Sequence, residues 1–294
     1  MDIVKTPDEQ QVAGCQQRFP STLDKPAGAV LPVIRNPLMK TSTSPIDRRT
    51  FVKRGALAAL AAPTLMPFSG SSAEAEKTNR ESLRVAVVTG GHVFDVLKFH
   101  ELFRTLAGVD AYIQHMEDFI TTPEAVRDQY DTVVFYHMLM PGPEGAIKTA
   151  LERVGTTEQG IVVLHHALLA HPEWDLWSEV VGIANRKFWF YHDQQIKVQV
   201  VSTQHPITRD LQSWEMVDET YTMADAAEGS EILLTVDHPK SMKTIGWTRQ
   251  FKKARVFCLE SGHDNQAWAN PNFREVLRRG ISWSARRLRA RGLQ

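Results

Sequence analysis

Histidines are the residues of this 294-residue sequence whose type and position point most directly to chemistry. The stretch "GIVVLHHALLAH", which begins at Gly160, is an aliphatic run that meets two adjacent imidazoles, His165 and His166. Two other apolar runs, "LRVAVVTGGH" and "ARVFCLESGH", end at His92 and His263. Imidazole can act as a base, an acid or a metal ligand near neutral pH. The sequence therefore predicts a histidine-rich site where strands end.

The elements around these histidines predict how the chain would position them. Apolar runs alternate with amphipathic helical segments up to His166, and a fourth run, "YDTVVFYHM", carries His137 at its end. This alternation predicts an α/β fold with a doubly wound, mainly parallel sheet. Ligands bind at the carboxyl ends of the strands in such sheets. We expect His92, His137, His165 and His263 to lie at that edge.

The sequence lacks the motifs of several common enzyme classes. The turn after "GIVVL" has no Ser or Cys at its tip, which argues against a serine hydrolase or an amidotransferase. No G-x-G-x-x-G follows the first strand, so we expect no nicotinamide cofactor. H-E-x-x-H and paired C-x-x-C motifs are absent too. Dispersed histidines with Asp218 and Glu219 could still bind a divalent metal ion, and the sequence leaves the cofactor open.

Two polar motifs occupy predicted loops, and an aromatic segment follows the strand "GIVVL". "HPIT" begins at His205 and "DETY" at Asp218, and each is either a turn or part of a binding site. Rings that lie in loops beside polar groups can form platforms for sugars, although most aromatic residues build core. The aromatic residues in question are Trp174, Trp177, Phe188, Trp189, Phe190 and Tyr191.

Composition excludes some classes of partner. Lys+Arg and Asp+Glu both number 34, so the formal net charge is zero, and we expect no nucleic-acid binding. The basic C-terminal stretch "RRGISWSARRLRARGLQ" fits a solvated helix end. Of the two cysteines, Cys15 lies in a predicted leader, so only Cys258 would remain and no internal disulfide could form.

The N-terminal part predicts export. Residues 1–46 lack hydrophobic periodicity and are predicted to be a disordered leader. Residues 47–75 contain Arg48-Arg49 and a short apolar run, typical of a twin-arginine signal peptide cleaved after Ala75. That run is too short to span a membrane.

The remaining residues, 76–294, would then form a single domain in the periplasm or outside the cell. A start at Met39 instead of Met1 would give a leader of more ordinary length. The sequence does not fix the oligomeric state, and a homodimer remains open.

Taken together and in this order, the motifs "VVTGGHVFD", "YDTVVFYHM", "GIVVLHHALLAHPEW", "HPIT", "VDETY", "GW" and "RVFCLESGHDNQAW…GISW" resemble the ThuA-like (trehalose utilisation) family. The resemblance covers residues 83–286. It implies a flavodoxin-like fold similar to the class I glutamine amidotransferases, without their cysteine nucleophile. His165 would occupy the strand turn where those relatives carry that cysteine.

The resemblance also implies a set of site residues. The family's histidines correspond to His92, His165, His192, His205 and His263. Its acidic-aromatic motif corresponds to Asp218, Glu219 and Tyr221, and its tryptophan to Trp247. The sequence departs from the family at His166, where Ser is common, and at Met242–Ile245, which lacks the usual proline.

Family members are associated with sugars oxidised at the 3-position, so the resemblance implies carbohydrate utilisation. We expect acid/base chemistry, metal-assisted or not, with His165 as base, His263 or Glu219 as acid, and His92 stabilising an oxyanion. The residues expected to contact a small-molecule sugar are His166, His192, His205, Asp218, Tyr221 and Trp247. The alternatives are a non-catalytic periplasmic sugar-binding or accessory protein, and a partner of a sugar oxidoreductase.

Overall fold

A computed structural model of the chain describes residues 81–288. The predicted leader, signal peptide and cleavage site therefore lie outside the described residues. Within them, the structure contains nine strands in one sheet. In chain order they are β1 (Leu83–Gly90), β2 (Val109–His115), β3 (Thr132–His137), β4 (Gly160–Leu164), β5 (Trp189–Val200), β6 (Trp214–Thr222), β7 (Ser230–Val236), β8 (Thr244–Phe251) and β9 (Ala254–Leu259).

The strand order is β2-β1-β3-β4-β9-β8-β7-β5-β6. The first five strands in this order pair in parallel, and the last four extend the sheet with antiparallel pairs. Four of these five parallel strands, β1, β3, β4 and β9, are largely apolar and buried, as expected of strands covered on both faces, whereas the edge strand β2 is partly exposed. The predicted α/β class, with parallel strands at its core, is confirmed.

Helices cover both faces of the parallel half. They are α1 (Val96–Arg104), α2 (Met116–Thr121), α3 (Glu124–Arg127), α4 (Gly145–Glu152), α5 (Asp175–Val181), α6 (Asn265–Ala269) and α7 (Pro271–Ser284), with a 3₁₀ helix at His165–Leu169. Helix α7 starts as its sequence predicts, because Pro271 holds its first position and the Asn270 side chain caps it.

Each face of the sheet has its own core. Phe99 of α1 and Phe273 of α7 belong to the core on one face. Met116 of α2 and Trp177 of α5 belong to the core on the other. The two layers fix the parallel strands between them, so the positions of the strand ends are set by well-packed apolar contacts.

The antiparallel half corrects one prediction. Residues Asp218–Tyr221 of "DETY" lie in strand β6 and not in a loop. All four are buried, although three of them are polar. The alternation of polar and apolar residues that identifies a half-buried strand is therefore absent from this segment.

Strand β6 also curves back over the parallel strands. It is four positions from β9 in the sheet, which would separate the two strands by about 19 Å in a flat sheet. Yet the backbone N–H of Tyr221 on β6 donates to the carboxylate of Glu260, just beyond β9, at 2.9 Å. The curvature brings polar residues of β6 to the carboxyl ends of the parallel strands.

Among residues 81–288, no helix combines the length and the apolar character needed to cross a bilayer.

Candidate functional site

Three strand ends place a histidine at the same edge of the sheet. The chain leaves β1 through Gly91, with φ of 75°, and reaches His92. After β4, His165 itself has φ of 52°, an uncommon conformation for a residue with a side chain. His263 follows Gly262 beyond β9. The ring centroids of His165 and His263 lie 5.2 Å apart, and those of His92 and His263 lie 5.7 Å apart.

His165 is fully buried at the base of this cluster. Its Nδ1 lies 2.7 Å from the backbone carbonyl oxygen of Glu260. Since a carbonyl oxygen can only accept, this contact places a hydrogen on Nδ1. Nε2 then faces the cluster, 2.7 Å from the hydroxyl of Tyr221 and 3.1 Å from Nδ1 of His263.

Glu219 joins the histidines from strand β6. Its Oε1 lies 3.4 Å from Nε2 of His165 and 3.5 Å from Nδ1 of His263. Its Oε2 lies 2.7 Å from Nδ1 of His192. His192 stands in an irregularity of β5 between Tyr191 and Gln194, and such bulges redirect side chains. One carboxylate thus connects three imidazoles.

The charges of Glu219 and His165 stabilise each other. Burial disfavours the charged carboxylate, but the hydrogen bond to His165 and the attraction of its charge outweigh burial and lower the pKa of Glu219 to about 2. Burial likewise opposes protonation of His165, but Glu219 and then Asp218 raise the pKa of His165 above its ordinary value. The contact between these two groups therefore favours the carboxylate form of Glu219 and the protonated form of His165.

The neighbouring imidazoles are kept neutral. Burial, with repulsion from His165, lowers the pKa of His263 to about 4. The same two causes lower the pKa of His92 and hold that of His166 well below its ordinary value. A neutral imidazole keeps a lone pair on one ring nitrogen, which can accept a hydrogen bond or bind a metal ion.

Residues around the cluster hold its backbone in place. The carboxylate of Asp218 accepts the backbone N–H groups of Gly262 at 2.7 Å and of His263 at 3.0 Å. The Tyr136 hydroxyl donates to the carbonyl of His263 at 3.1 Å, and the Trp268 indole to that of Gly262 at 2.8 Å. Three groups on different elements, through four hydrogen bonds, thus fix the backbone of Gly262 and His263.

Two more of the expected residues lie beside the cluster. The ring of His166 stacks on that of His92, with centroids 4.5 Å apart. Its Nε2 lies 3.2 Å from the backbone carbonyl of Tyr136. His166 therefore supports His92 from below, because it is buried whereas His92 is partly exposed.

The cluster opens to solvent on one side. Side-chain exposure is 53% for His192 and 18% for His263, but 0% for His165. A substrate would therefore meet His192, His263 and the partly exposed His92 first. His165 can act only through the groups above it.

Three residues expected at the site lie elsewhere. His205 packs its ring against Trp283 near the end of α7, and Trp247 donates its indole N–H to the carbonyl of Val181 within a core layer. His137 lies on the same side of the sheet as Trp247, buried against the ring of Trp177. Side chains alternate between the faces of a strand, so a strand-end position alone does not decide which face a histidine joins.

Sequence reasoning missed Glu260 and Tyr136. Glu260 is fully buried, and burial, followed by the repulsion of Asp218, raises its pKa to about 8. Its carboxylate accepts from Tyr221 while its carbonyl orients His165. The signal for Glu260 was a charged residue directly after the apolar run "RVFCL". Tyr136 gave no such signal, because an aromatic residue inside an apolar strand reads as core.

Two solved structures of ThuA-like proteins share this architecture. A ThuA-like protein from Parabacteroides merdae superposes with a TM-score of 0.59 at 18% identity, covering 72% of this chain and 93% of that one. A ThuA-like protein from Bacteroides uniformis gives a TM-score of 0.55 at 18% identity, covering 69% and 91%. A glutamine amidotransferase from Thermotoga maritima also matches, with 12% identity, coverage of 70% and 99%, and a TM-score of 0.42.

At the level of sequence, no curated protein gives a significant match. A family model does match: that of ThuA, described as trehalose utilisation, aligns with residues 84–284. This span includes every strand and helix that carries the cluster. The chain therefore belongs to the ThuA trehalose-utilisation family.

Proposed function

We propose that this protein is an exported enzyme of carbohydrate utilisation that acts on a glycoside carrying a keto group at C3. Two facts support the proposal: membership of a family described by trehalose utilisation, and a cluster of imidazoles open to solvent. Export rests on the arginine pair Arg48-Arg49 in the sequence. The partner would be a small-molecule sugar, with trehalose or a related disaccharide as the parent compound.

The observation that carries the proposal is the pair formed by Glu219 and His192. The carboxylate lies 2.7 Å from Nδ1 of His192, and this places a hydrogen on Nδ1 and leaves Nε2 free. His192 is the most exposed imidazole of the cluster. A carboxylate-oriented imidazole with a free ring nitrogen is suited to take and return a proton.

The proposed reaction is a β-elimination. His192 removes the hydrogen on C2, and the electron pair of that bond moves toward the C3 carbonyl to give an enediolate. As the carbonyl re-forms, a double bond forms between C1 and C2 and the bond from C1 to the glycosidic oxygen breaks. The protonated His192 gives this proton to the leaving oxygen, directly or through a water molecule, so the products are an unsaturated keto sugar and an alcohol.

The base of the cluster would stabilise the enediolate. The positive charge of a protonated His165, beside the carboxylate of Glu219, would lie beneath the opening where the oxygen on C3 would lie. This arrangement assigns proton transfer to His192 and electrostatic stabilisation to His165, because His165 is sealed from solvent. His92 at the rim could contact the same oxygen.

Aromatic residues supply a surface for the sugar ring. Trp189, Phe190 and Tyr191 precede His192 on β5 and are partly exposed. The ring centroids of Phe190 and His192 lie 5.2 Å apart. Apolar faces of sugars pack on such rings. The same feature favours the second candidate, a non-catalytic sugar-binding protein.

The test is to incubate the full chain with 3-keto-trehalose and with trehalose and to follow the products by chromatography. We expect turnover of the keto sugar alone, and a loss in kcat of about 100-fold or more in His192→Gln. His238→Gln removes a histidine outside the cluster and should leave kcat unchanged. Binding of either sugar without product would favour the accessory protein and contradict the enzyme.

A further inference from the structure

We infer that His165, His263 and Glu219 form a binding site for one divalent transition-metal ion. The three candidate ligand atoms are Nε2 of His165, Nδ1 of His263 and Oε1 of Glu219. Their mutual distances are 3.1, 3.4 and 3.5 Å. No other group of three potential ligands comes this close together within residues 81–288.

These distances match the edges of a small coordination polyhedron. Ligand atoms about 2.1 Å from a tetrahedral zinc ion are separated from each other by about 3.4 Å. The three observed distances bracket this value, so an ion could bind between the atoms with shifts of a few tenths of an ångström. The three atoms would form one triangular face of such a polyhedron, and a fourth position would remain for water or substrate.

The surroundings orient each ligand as metal sites require. Metal-bound imidazoles usually donate their second N–H to a carbonyl or carboxylate. Nδ1 of His165 does so to the carbonyl of Glu260, at 2.7 Å, and this turns the lone pair of Nε2 toward the proposed ion. The second oxygen of Glu219 is held by His192, and the backbone of His263 by Asp218.

The ligand types select the class of ion. Two imidazoles and one carboxylate suit zinc and related first-row ions, whereas calcium and magnesium prefer oxygen ligands alone. Two histidines and a glutamate with an open position also form the ligand set of zinc hydrolases. Cys258, the free cysteine of the described chain, is buried in the core layer that contains Trp247 and would not contribute a sulfur ligand.

A catalytic role for this ion rests on the proposed function. A bound cation would supply the positive charge that polarises the C3 carbonyl of the substrate. His192 is not one of the three ligands and would remain free for proton transfer. Binding of the ion itself does not depend on the identity of the sugar.

The experiment measures ion binding by the full chain, stripped with a chelator and titrated with Zn²⁺ by calorimetry. We expect one ion per chain, bound by the two imidazoles and the carboxylate. His263→Gln and Glu219→Gln should weaken binding about 100-fold or more. His100→Gln, on α1, removes a histidine that is not a ligand and should bind like the parent.

A second measurement uses the unaltered chain and so does not depend on the folding of any variant. Co²⁺ bound to two nitrogens and one oxygen should give visible d–d absorption of four- or five-coordinate cobalt without a thiolate band. Failure to bind one ion, or equal binding by the ligand variants and His100→Gln, would overturn the site. If the protein still turned over the keto sugar in the presence of chelator, the enzyme proposal would stand without the metal site. If the protein bound zinc but turned over no sugar, the metal site would stand without the enzyme proposal.

Discussion

The backbone of His263 is held by the carboxylate of Asp218, which accepts its N–H at 3.0 Å and that of Gly262 at 2.7 Å. Asp218 lies on β6 and His263 beyond β9, so this contact connects the two halves of the sheet at the cluster. The same carboxylate also accepts the N–H of Glu219 at 2.9 Å. One buried acidic group therefore positions two of the residues that face the opening.

Asp218→Asn should destabilise the fold and misplace His263. An amide offers one acceptor oxygen where the carboxylate offers two, and its NH₂ group would face a backbone donor. We expect a loss of about 1–3 kcal/mol in the free energy of unfolding, measured in urea. Asp237→Asn, on the exposed surface, is the control. Equal stability of the two variants would contradict the role given to Asp218.

Gly91 should tolerate no side chain. Its φ is 75°, and an added Cβ would lie 2.4 Å from the backbone oxygen of Met138. Gly108 has φ of 74° but open space around the Cβ position, so Gly108→Ala isolates the backbone strain, which costs about 1 kcal/mol. Gly91→Ala should lower the free energy of unfolding, measured by thermal denaturation, by clearly more than Gly108→Ala does. It should also displace His92. Similar costs would show that the contact with Met138 is not limiting.

Arg186→Lys should loosen the segment after the 3₁₀ helix. The buried guanidinium donates to the carbonyls of Leu168, Ala170, His171, Pro172 and Trp174. A lysine has three donors and no planar fork, so several of these carbonyls would lose their partner. We expect the free energy of unfolding to fall by about 2–4 kcal/mol, and we expect faster proteolysis of the segment. Arg104→Lys on α1 should behave as the parent.

His137 should make stability depend on pH. Burial, with the charge of His171, lowers the pKa of His137 to about 3. An imidazole in the unfolded chain titrates near 6.5, so between these values the unfolded state binds a proton that the folded state excludes. Stability therefore falls as the pH drops through this window, by up to about 1.4 kcal/mol per pH unit from this group.

His137→Leu should remove that share of the pH dependence. Neither ring nitrogen of His137 has a hydrogen-bond partner among the described residues, so the variant should be at least as stable as the parent at pH 7.5. Urea unfolding would show that the free energy of unfolding falls less between pH 7.5 and pH 5 in His137→Leu than in the parent or in His100→Gln. Parallel losses in all three proteins would show that His137 becomes protonated in the folded state.

The sequence allowed prediction of the parallel half of the fold but less of the antiparallel half. Apolar runs such as "GIVVL" can only be covered on both faces, so their class and the edge where they end follow from composition. The sequence did not predict strand β6. Its residues Asp218–Thr220 are polar, and they are buried only because distant residues pack against them. Such burial depends on partners that local periodicity cannot reveal.

The candidate site was predicted in part for the same reason. His92, His165 and His263 follow predicted strands and do meet, with Glu219, His192 and Tyr221 from the family resemblance beside them. His205 and Trp247 do not join them. The bulge in β5 that turns His192 toward Glu219 and the carbonyl of Glu260 that orients His165 have no local signature in the sequence.

The curvature of the sheet has a consequence for how this protein becomes functional. One wall of the opening comes from the first strand and another from residues near the end of the described chain, with Glu219 brought over on the outermost strand. A fragment that lacks either β1 or β9 lacks a complete cluster. Contacts between positions so far apart in the sequence form slowly during folding. The complete cluster should therefore form only in the last stage of folding, when the outer strands pack over the parallel core.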